Sequence, residues 1–266
     1  MLSRSLDKAV EAFRDRNVEL SRQAHDRSEE EAREEHRQSQ GQYIKSLVYG
    51  GLDGIVTTFA VVAGVTGASL SAGVVLIMGF ANLIADGLSM AIGDFLSTKA
   101  ENEYNRAERV RELWEVDNYP QGEKREMVEL YVGKGMDERS ARDMTEILAR
   151  NREAWVSVMM AEELGIVEST ESPLKHALVT FISFAVFGFV PVAAFVAARF
   201  LPALKLYTVP VSAALTAIML FTLGALKTLF TRRNWAVSGA EMLLVGGLAA
   251  AAAYGVGLAL AGIGGA

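Results

Sequence analysis

The chain has 266 residues, of which 51% are hydrophobic and 22% are charged, and its formal net charge is −6. Its mean hydropathy is nevertheless positive, at +0.22, so charged and apolar residues must occupy separate segments. The absence of cysteine excludes disulfides, thiolate metal sites and cysteine nucleophiles. No basic surface is evident in the sequence, so we expect no nucleic-acid partner.

The charged residues concentrate in two segments. Residues 1–45 hold 9 Lys and Arg against 10 Asp and Glu, whereas residues 98–172 hold 11 against 18, a local charge of −7. The first segment predicts a polar N-terminal helix over residues 1–40, either lying on the surface or partly disordered, with the acidic run 29–35 as a solvated face. The acidic excess of the whole chain therefore belongs to the second segment.

Five segments are long and apolar enough to cross a bilayer, which requires about 20 mainly apolar residues. They are Leu47–Ala68, Leu70–Thr98, Leu174–Ala198, Leu206–Phe230 and Trp235–Ile263. They predict an all-α, polytopic membrane protein with five transmembrane helices and a three-helix cytoplasmic insert between helices two and three. In the first span, Gly50 and Gly54 form a small-residue pattern that lets another helix approach closely, and we expect it to support a dimer contact.

The second span has no stop signal at the membrane surface. Read as one helix of about 45 residues, it reaches roughly 68 Å and becomes a stalk outside the bilayer. Pro120 then begins a second insert helix that Gly133 and Gly135 end, and Asp137 begins a third that closes near Gly165. The predicted divisions are a polar segment (1–40), spans one and two (41–98), a cytoplasmic metal-binding helical domain (99–172) and spans three to five (173–266).

Basic residues predict the orientation of the chain. The turn at 67–72 carries no charge, whereas Lys45, the insert, Lys227, Arg232 and Arg233 lie at the opposite membrane face. Because cytoplasmic loops are enriched in Lys and Arg, the N-terminus and the insert are expected in the cytoplasm and the C-terminus on the far side. A five-span chain without a targeting sequence is expected in a bacterial inner membrane.

Ionisable residues inside the predicted spans are candidates for function, because a charge in hydrocarbon is costly. Asn82, Asp86, Met90 and Asp94 follow one another at intervals of four and so share a helical face, and the first span contributes Asp53. Carboxylates with a thioether suit a transition metal such as Fe²⁺ better than Ca²⁺ or Mg²⁺. Two alternatives stay open: Met90 as a packing residue, and Asp94 as a helix cap or a side chain that reaches the interface.

The insert carries a second set of carboxylates at helical spacing. Glu108, Glu112 and Glu115 share a face of the stalk, and Glu123 and Glu126 repeat the spacing on the next helix. The third insert helix adds Met159, Met160 and Glu163. Facing carboxylates on antiparallel helices build metal sites in helical bundles, although mixed Glu and Arg are also typical of a solvated helix. No histidine follows a glutamate by three residues, which argues against a ferritin-like di-iron centre.

Three motifs resemble those of the vacuolar iron transporter family. The run from Tyr49 to Phe59 resembles its first span, and the run from Ala85 to Phe95 resembles its second. The insert motifs are Glu112-x-x-Glu115, Pro120-x-x-Glu123-x-x-Glu126 and Trp155-x-x-x-Met159-Met160-x-Glu162-Glu163-Leu164-Gly165. The resemblance covers about residues 42–262 in order and leaves out residues 1–40.

The resemblance implies a homodimer with a path between the two first spans. It implies proton-coupled export from the cytoplasm of Fe²⁺ and related ions, a group in which we include Mn²⁺, Zn²⁺, Co²⁺ and Ni²⁺, without a resident cofactor. It makes Asp53 and Met90 ligands along the path, and Asp94 stands where the family commonly has Glu. Asn82 and Asp86 are added from the span itself. The cytoplasmic ligands that the resemblance implies are Glu112, Glu115, Glu123, Glu126, Met159 and Glu163, with Met160 beside them.

Metal/proton antiport is the leading hypothesis, because a carboxylate binds either a metal ion or a proton and the two states exclude one another. The alternative is a membrane-anchored metal-binding or sensing protein without transport, in which the insert acts and the spans only anchor it. An enzyme is not expected, because the sequence shows no nucleophile–base pair, phosphate loop or histidine cluster.

Overall fold

The computed structural model describes residues 11–25, 38–167, 172–231 and 234–261. Much of the predicted polar segment 1–40, including the acidic run 29–35, lies outside the described residues, as do Arg232, Arg233 and the predicted end of the fifth span at Ile263. The chain divides into two compact units, Met1–Gln42 and Tyr43–Ala266. In the first unit, helix α1 (Val18–His25) follows Asn17, whose Oδ1 accepts a hydrogen bond from the Leu20 N–H at 3.1 Å, as an N-cap does.

The rest of the described chain is helical, with short turns and no strand. The helices are α2 (Gln38–Gly67), α3 (Ala72–Asn118), α4 (Pro120–Gly133), α5 (Glu138–Leu148), α6 (Arg152–Glu162), α7 (Pro173–Phe200), α8 (Thr208–Thr231) and α9 (Trp235–Leu260). Five of them, α2, α3, α7, α8 and α9, are long and apolar enough to cross a membrane. The predicted all-α class and the five spans are therefore confirmed. The fourth span begins two residues later than predicted, because a 3₁₀ turn at Pro202–Leu204 precedes it.

Helix α3 is continuous over 47 residues, as the sequence predicted for the second span. At 1.5 Å per residue it is about 70 Å long, more than twice the hydrocarbon thickness of about 30 Å. Its apolar first part forms the span, and its charged second part, residues 99–118, forms a stalk outside it. The helix ends at Tyr119, since a residue that precedes proline disfavours the helical conformation.

The insert contains one helix more than predicted. The third insert helix, expected from Asp137 to near Gly165, is instead two helices, α5 and α6, separated at residues 149–151. Asn151 Oδ1 accepts a hydrogen bond from the Ala154 N–H at 3.1 Å, so this side chain starts a new helix where the sequence pattern suggested continuation. Beyond the stalk the insert therefore has three helices, α4 to α6, rather than two.

The insert has an apolar core of its own. Val116 of the stalk packs with Met127, Trp155 and Met159, which come from α4 and α6. At the surface, Arg152 forms a two-pronged ion pair with Asp117, with Nε–Oδ1 and Nη2–Oδ2 distances of 2.7 and 2.6 Å. Burial of the apolar side chains supplies most of the stability, and the exposed ion pairs orient α6 on the stalk.

Among the membrane helices, α3 packs along α7 and α8 pairs with α9. The predicted Gly50–Gly54 pattern is used within the chain, against α7. A Cβ added to Gly54 would lie 2.4 Å from the carbonyl oxygen of Phe184, and one added to Gly50 would lie 2.7 Å from that of Thr180. The pattern therefore brings α2 and α7 into close contact, and its two glycines do not mark a separate dimer surface.

Candidate metal centre and intramembrane polar group

Three carboxylates of the insert converge where α3 turns into α4. Glu112 and Glu115 lie on one face of the stalk, and Glu123 lies in the first turn of α4. One carboxylate oxygen from each residue lies within 4.8 Å of the other two, a spacing that allows all three to bind one metal ion. The tight turn at Tyr119 and Pro120 reverses the chain and brings the two helices together.

Two of these carboxylates are buried and incompletely hydrogen-bonded. Glu112 is 1% exposed and Glu123 5% exposed. In each, Oε2 accepts no hydrogen bond from any residue that the structure describes. The pKa of Glu112 and the pKa of Glu123 are both raised to about 7. Burial is the largest cause, and the negative charges of neighbouring glutamates add to it. A buried carboxylate without donors is costly, and a bound cation is a direct way to compensate it.

Glu126 and Glu163 complete the group. The charge of Glu163 contributes to the raised pKa of Glu112, and the charge of Glu126 does the same for Glu123. Glu163 is exposed, but partial loss of solvent, followed by the charge of Glu126, still raises its pKa. The structure thus brings the five predicted glutamates of the insert together from α3, α4 and the end of α6. We call Glu112, Glu115, Glu123, Glu126 and Glu163 the insert cluster.

A cation, Arg111, borders the insert cluster. Arg111 Nη2 lies 2.8 Å from Glu108 Oε2 and 3.1 Å from Glu112 Oε1. Glu108, predicted on the same face of the stalk, is therefore paired with this arginine. The alternative interpretation of the stalk, a solvated helix with mixed charges, therefore fits Glu108 and Arg111. It does not fit Glu112, which is buried.

Met159 and Met160 are buried in the apolar core of the insert, at 0% and 1% exposure. The backbone N–H of Glu163 donates to the carbonyl oxygen of Met159 at 3.0 Å, so Glu163 lies one helical turn after Met159. The two methionines therefore pack in the core that supports the insert cluster, on the helix that carries its last glutamate.

A separate polar group lies between α2 and α3 inside the membrane-spanning part. Asp53 and Asp86 are close enough for their charges to interact. Asn82 Nδ2 donates to Thr57 Oγ1 at 3.3 Å and to Thr58 Oγ1 at 3.1 Å. Sequence reasoning did not pair either threonine with Asn82, because Asn82 lies 24 positions from Thr58 along the chain. We call Asp53, Asn82 and Asp86 the span group.

Asp86 is exposed on the surface of the single chain, among outward-facing apolar residues of α3 such as Ile84 and Leu88. Met90, one turn further on, is half-buried against the apolar cluster around Phe184. The residues on the helical face that the sequence predicted, Asn82, Asp86, Met90 and Asp94, therefore differ in their burial and in their contacts.

Asp94 is held by hydroxyl groups from two other helices. Its Oδ2 accepts hydrogen bonds from Ser46 Oγ at 3.1 Å and Thr180 Oγ1 at 2.5 Å. Ser46 Oγ also lies 3.0 Å from Nδ1 of the buried His176. Asp94 thus joins α2, α3 and α7, which neither open alternative for this residue anticipated. Sequence reasoning missed both partners of Asp94, and the His176 contact of Ser46, because these residues lie far away along the chain.

Comparisons with known proteins agree on one family. Residues 44–258 match the sequence model of the VIT family. A vacuolar iron transporter of Toxoplasma gondii is 41% identical over 265 residues, covering 96% of this chain and 88% of the relative. One of Plasmodium falciparum is 34% identical over 268 residues, covering 98% of each chain. Vacuolar iron transporter 1 of rice, Oryza sativa, is 30% identical over 221 residues, covering 81% of this chain and 84% of the relative. The matched region includes the insert cluster and the span group.

Proposed function

This chain belongs to the VIT family of integral membrane proteins, and from that premise we propose that it transports divalent transition metals across the membrane. The proposed substrates are Fe²⁺ and related ions, Mn²⁺ among them, moved out of the cytoplasm. The observation that carries the proposal is the insert cluster, in which two buried carboxylate oxygens lack a hydrogen-bond donor among the described residues. We propose iron among the divalent metals because the relatives are named iron transporters.

In this proposal the insert cluster collects the metal. Several oxygen ligands around one point suit a divalent cation, which neutralises their mutual repulsion. Glu112 and Glu123 form the buried wall, and the half-buried Glu115 lies on the stalk beside them. A thioether from Met159 would favour a softer ion such as Fe²⁺ over Mg²⁺.

The span group supplies the next ligands along the route. The same helix, α3, carries Asp86 in the membrane and Glu112 in the insert. These residues are 26 positions apart, about 39 Å along a helix. A metal ion released from the insert cluster would thus follow a single rigid helix toward the span group.

Proton coupling and a homodimer complete the proposal. A carboxylate that releases a metal ion takes up a proton instead, so carboxylates such as Asp53 support antiport. The exposed Asp86 would cost about 2.5–3.5 kcal/mol against lipid, and a second copy packed along α2 and α3 would remove that contact. A path between the two first spans would then be lined from both copies, with Met90 as a further ligand and Asp94 near the insert-side end.

We propose that the insert lies on the cytoplasmic side of the membrane, as the distribution of Lys and Arg in the loops predicts. The relatives are eukaryotic proteins named for the vacuole, so they do not support the expectation of a bacterial inner membrane. The proposal needs only a bilayer with a cytoplasmic side and a pH gradient.

The test is metal uptake by proteoliposomes that contain the full chain, with and without an imposed pH gradient. Fe²⁺ or Mn²⁺ flux should depend on the gradient, and Asp53→Asn, which keeps the side-chain size and removes the charge, should reduce flux to the background of empty liposomes. Asp137→Asn is the matched control. Asp137 caps α5 in the insert through the Ser140 N–H, and asparagine caps equally well, so its flux should not change.

Unchanged flux in Asp53→Asn would remove this residue from the path. The alternative, an anchored metal-binding or sensing protein, is favoured by the separate apolar core of the insert, which could support a binding site by itself. It predicts metal binding by the full chain and no flux under any gradient. The same preparation therefore distinguishes the two functions.

A further inference from the structure

The end of the helical bundle opposite the insert has an unbalanced charge. The described segments at this end, 67–76, 199–208 and 254–261, contain two charged side chains, Arg199 and Lys205, and no acidic one. No Asp or Glu occurs anywhere between residues 172 and 240. The described residues at this end therefore offer no carboxylate to these two cations.

Both cations border a cavity of about 490 Å³ at this end. Its walls are formed by the beginning of α3, the end of α7 and the connection from α7 to α8. The wall residues are mainly apolar: Ala72, Leu76, Ile77, Phe195 and Ala198. Thr208 also lines the cavity, but its Oγ1 already donates to the carbonyl oxygens of Leu204 and Lys205. Among the described lining residues, Arg199 and Lys205 are consequently the side-chain donors available to a ligand.

The connection that holds Lys205 is ordered by backbone hydrogen bonds. The Leu204 N–H donates to Leu201 O at 3.0 Å, and the Lys205 N–H donates to Pro202 O at 3.2 Å. Nearby, Ser212 Oγ donates to Pro191 O at 2.6 Å and fastens α8 to α7. The two cations are therefore presented on a structured corner of the bundle.

We propose that this cavity binds an anionic phospholipid. The phosphate lies between Arg199 and Lys205, and one acyl chain lies in the apolar cavity between α3 and α7. Basic side chains at the ends of membrane helices lie at the depth of lipid phosphates, and basic pockets between helices bind anionic headgroups. A lipid fits better than a free phosphate ion, because the cavity beneath the two cations is walled by apolar side chains.

The experiment uses the full chain purified in a neutral detergent, and native mass spectrometry counts the lipids that it retains. Three probes are compared: phosphatidylglycerol, phosphatidylcholine of the same chain length, and inorganic phosphate. The wild type should bind phosphatidylglycerol more tightly than phosphatidylcholine. Arg199→Gln combined with Lys205→Gln should weaken phosphatidylglycerol binding about twentyfold, since each basic residue near an anionic surface contributes about a fivefold factor.

The matched control removes two exposed cations from the insert-side ends of the spans, Lys45→Gln with Lys175→Gln, and should leave the binding unchanged. If the glutamine pair does not fold, Arg199→Lys with Lys205→Arg keeps both charges and should retain the lipid. Equal binding of both lipids to the wild type, or unchanged phosphatidylglycerol binding in the glutamine pair, would overturn the proposal. So would inorganic phosphate at millimolar concentration displacing phosphatidylglycerol, because the site would then recognise the ion alone.

Discussion

Two glutamates of the insert cluster, Glu112 and Glu123, and the separate Asp94 are all carboxylates that are at least partly shielded from water, but their surroundings differ. In the insert cluster, Glu112 and Glu123 lie among other glutamates, and each has an oxygen without a donor among the described side chains and backbone. Asp94 instead receives hydrogen bonds from Ser46 and Thr180 of two other helices. A satisfied carboxylate holds helices together, whereas an unsatisfied one is available to a cation. The partners of a carboxylate, more than its burial, therefore indicate its role.

The span group lies between these two cases. Asn82 is satisfied by threonine hydroxyls of α2, while no described residue donates a hydrogen bond to the carboxylates of Asp53 and Asp86. The group therefore combines a fixed amide with two available carboxylates. These two carboxylates are the ligands that the proposed ion path would use.

The largest expected effect is the loss of metal binding when the buried carboxylates are neutralised. Glu112→Gln with Glu123→Gln removes two negative charges and two ligand atoms, so we expect the affinity of the full chain for Fe²⁺ or Mn²⁺ to fall by about 100-fold or more. Isothermal titration calorimetry at pH 8 measures it. Glu146→Gln is the control, because Glu146 pairs with Lys124 at the surface of the same insert. An unchanged affinity in the double variant would leave the insert cluster without a role in binding.

An intermediate effect is expected on stability as a function of pH. The pKa values of Glu112 and Glu123 are raised to about 7 by burial, above an unfolded value of 4.5, so the folded state binds more protons than the unfolded state. Their contribution to stability is full below pH 4.5 and is lost as pH rises through 7. It is on the order of 3 kcal/mol for each group at most, and less for the coupled pair.

Thermal unfolding of the metal-free chain in detergent, measured between pH 6 and pH 8, checks this expectation. The melting temperature should fall as pH rises across this range, and the Glu112→Gln, Glu123→Gln variant should lose most of the slope. Added metal should stabilise the wild type most at pH 8, where the carboxylates are ionised. A wild-type slope of the opposite sign would contradict the assignment of raised pKa values to these two glutamates.

The smallest expected effect on metal flux concerns Asp94, the carboxylate that already has hydrogen-bond partners. Asp94→Asn keeps an oxygen that accepts from Ser46 and Thr180, so we expect metal flux within about threefold of wild type. Asp94→Ala leaves both hydroxyls without their acceptor and should destabilise the chain by about 1–3 kcal/mol. Asp94→Glu tests whether a longer side chain is tolerated at this position.

Flux and melting temperature, measured on the same preparations, separate the two roles of Asp94. A structural tie predicts that Ser46→Ala with Thr180→Val reproduces the instability of Asp94→Ala. If Asp94→Asn instead loses flux completely while it keeps the wild-type melting temperature, the charge of Asp94 serves the path, and the contrast with the insert cluster disappears.

Much of the fold and of the insert cluster was predictable from local patterns. Apolar stretches of sufficient length indicated five spans, and the absence of proline and glycine between Gly93 and Tyr119 indicated the stalk. The three-residue spacing of Glu112, Glu115, Glu123 and Glu126 indicated which glutamates share faces. These features are encoded within a few helical turns, so a single sequence is enough to read them.

The sequence predictions were wrong where one local pattern allowed two structures and tertiary packing selected between them. Asn151 is compatible with a helix interior and with an N-cap, and in the structure it divides the third insert helix in two. The Gly50–Gly54 pattern predicts a close helix contact but does not name the partner, which is α7 of the same chain.

What the sequence determined by itself is therefore the number of spans, the stalk and the faces on which the carboxylates lie. Tertiary structure decided which carboxylates meet donors and which do not. Ser46 and Thr180 lie 48 and 86 positions from Asp94, and Glu112 loses water only when α4 and α6 pack against the stalk. Residue spacing along a helix determines the face on which a side chain lies. Its hydrogen bonding and burial depend instead on the helix that packs against that face, which no local sequence pattern specifies.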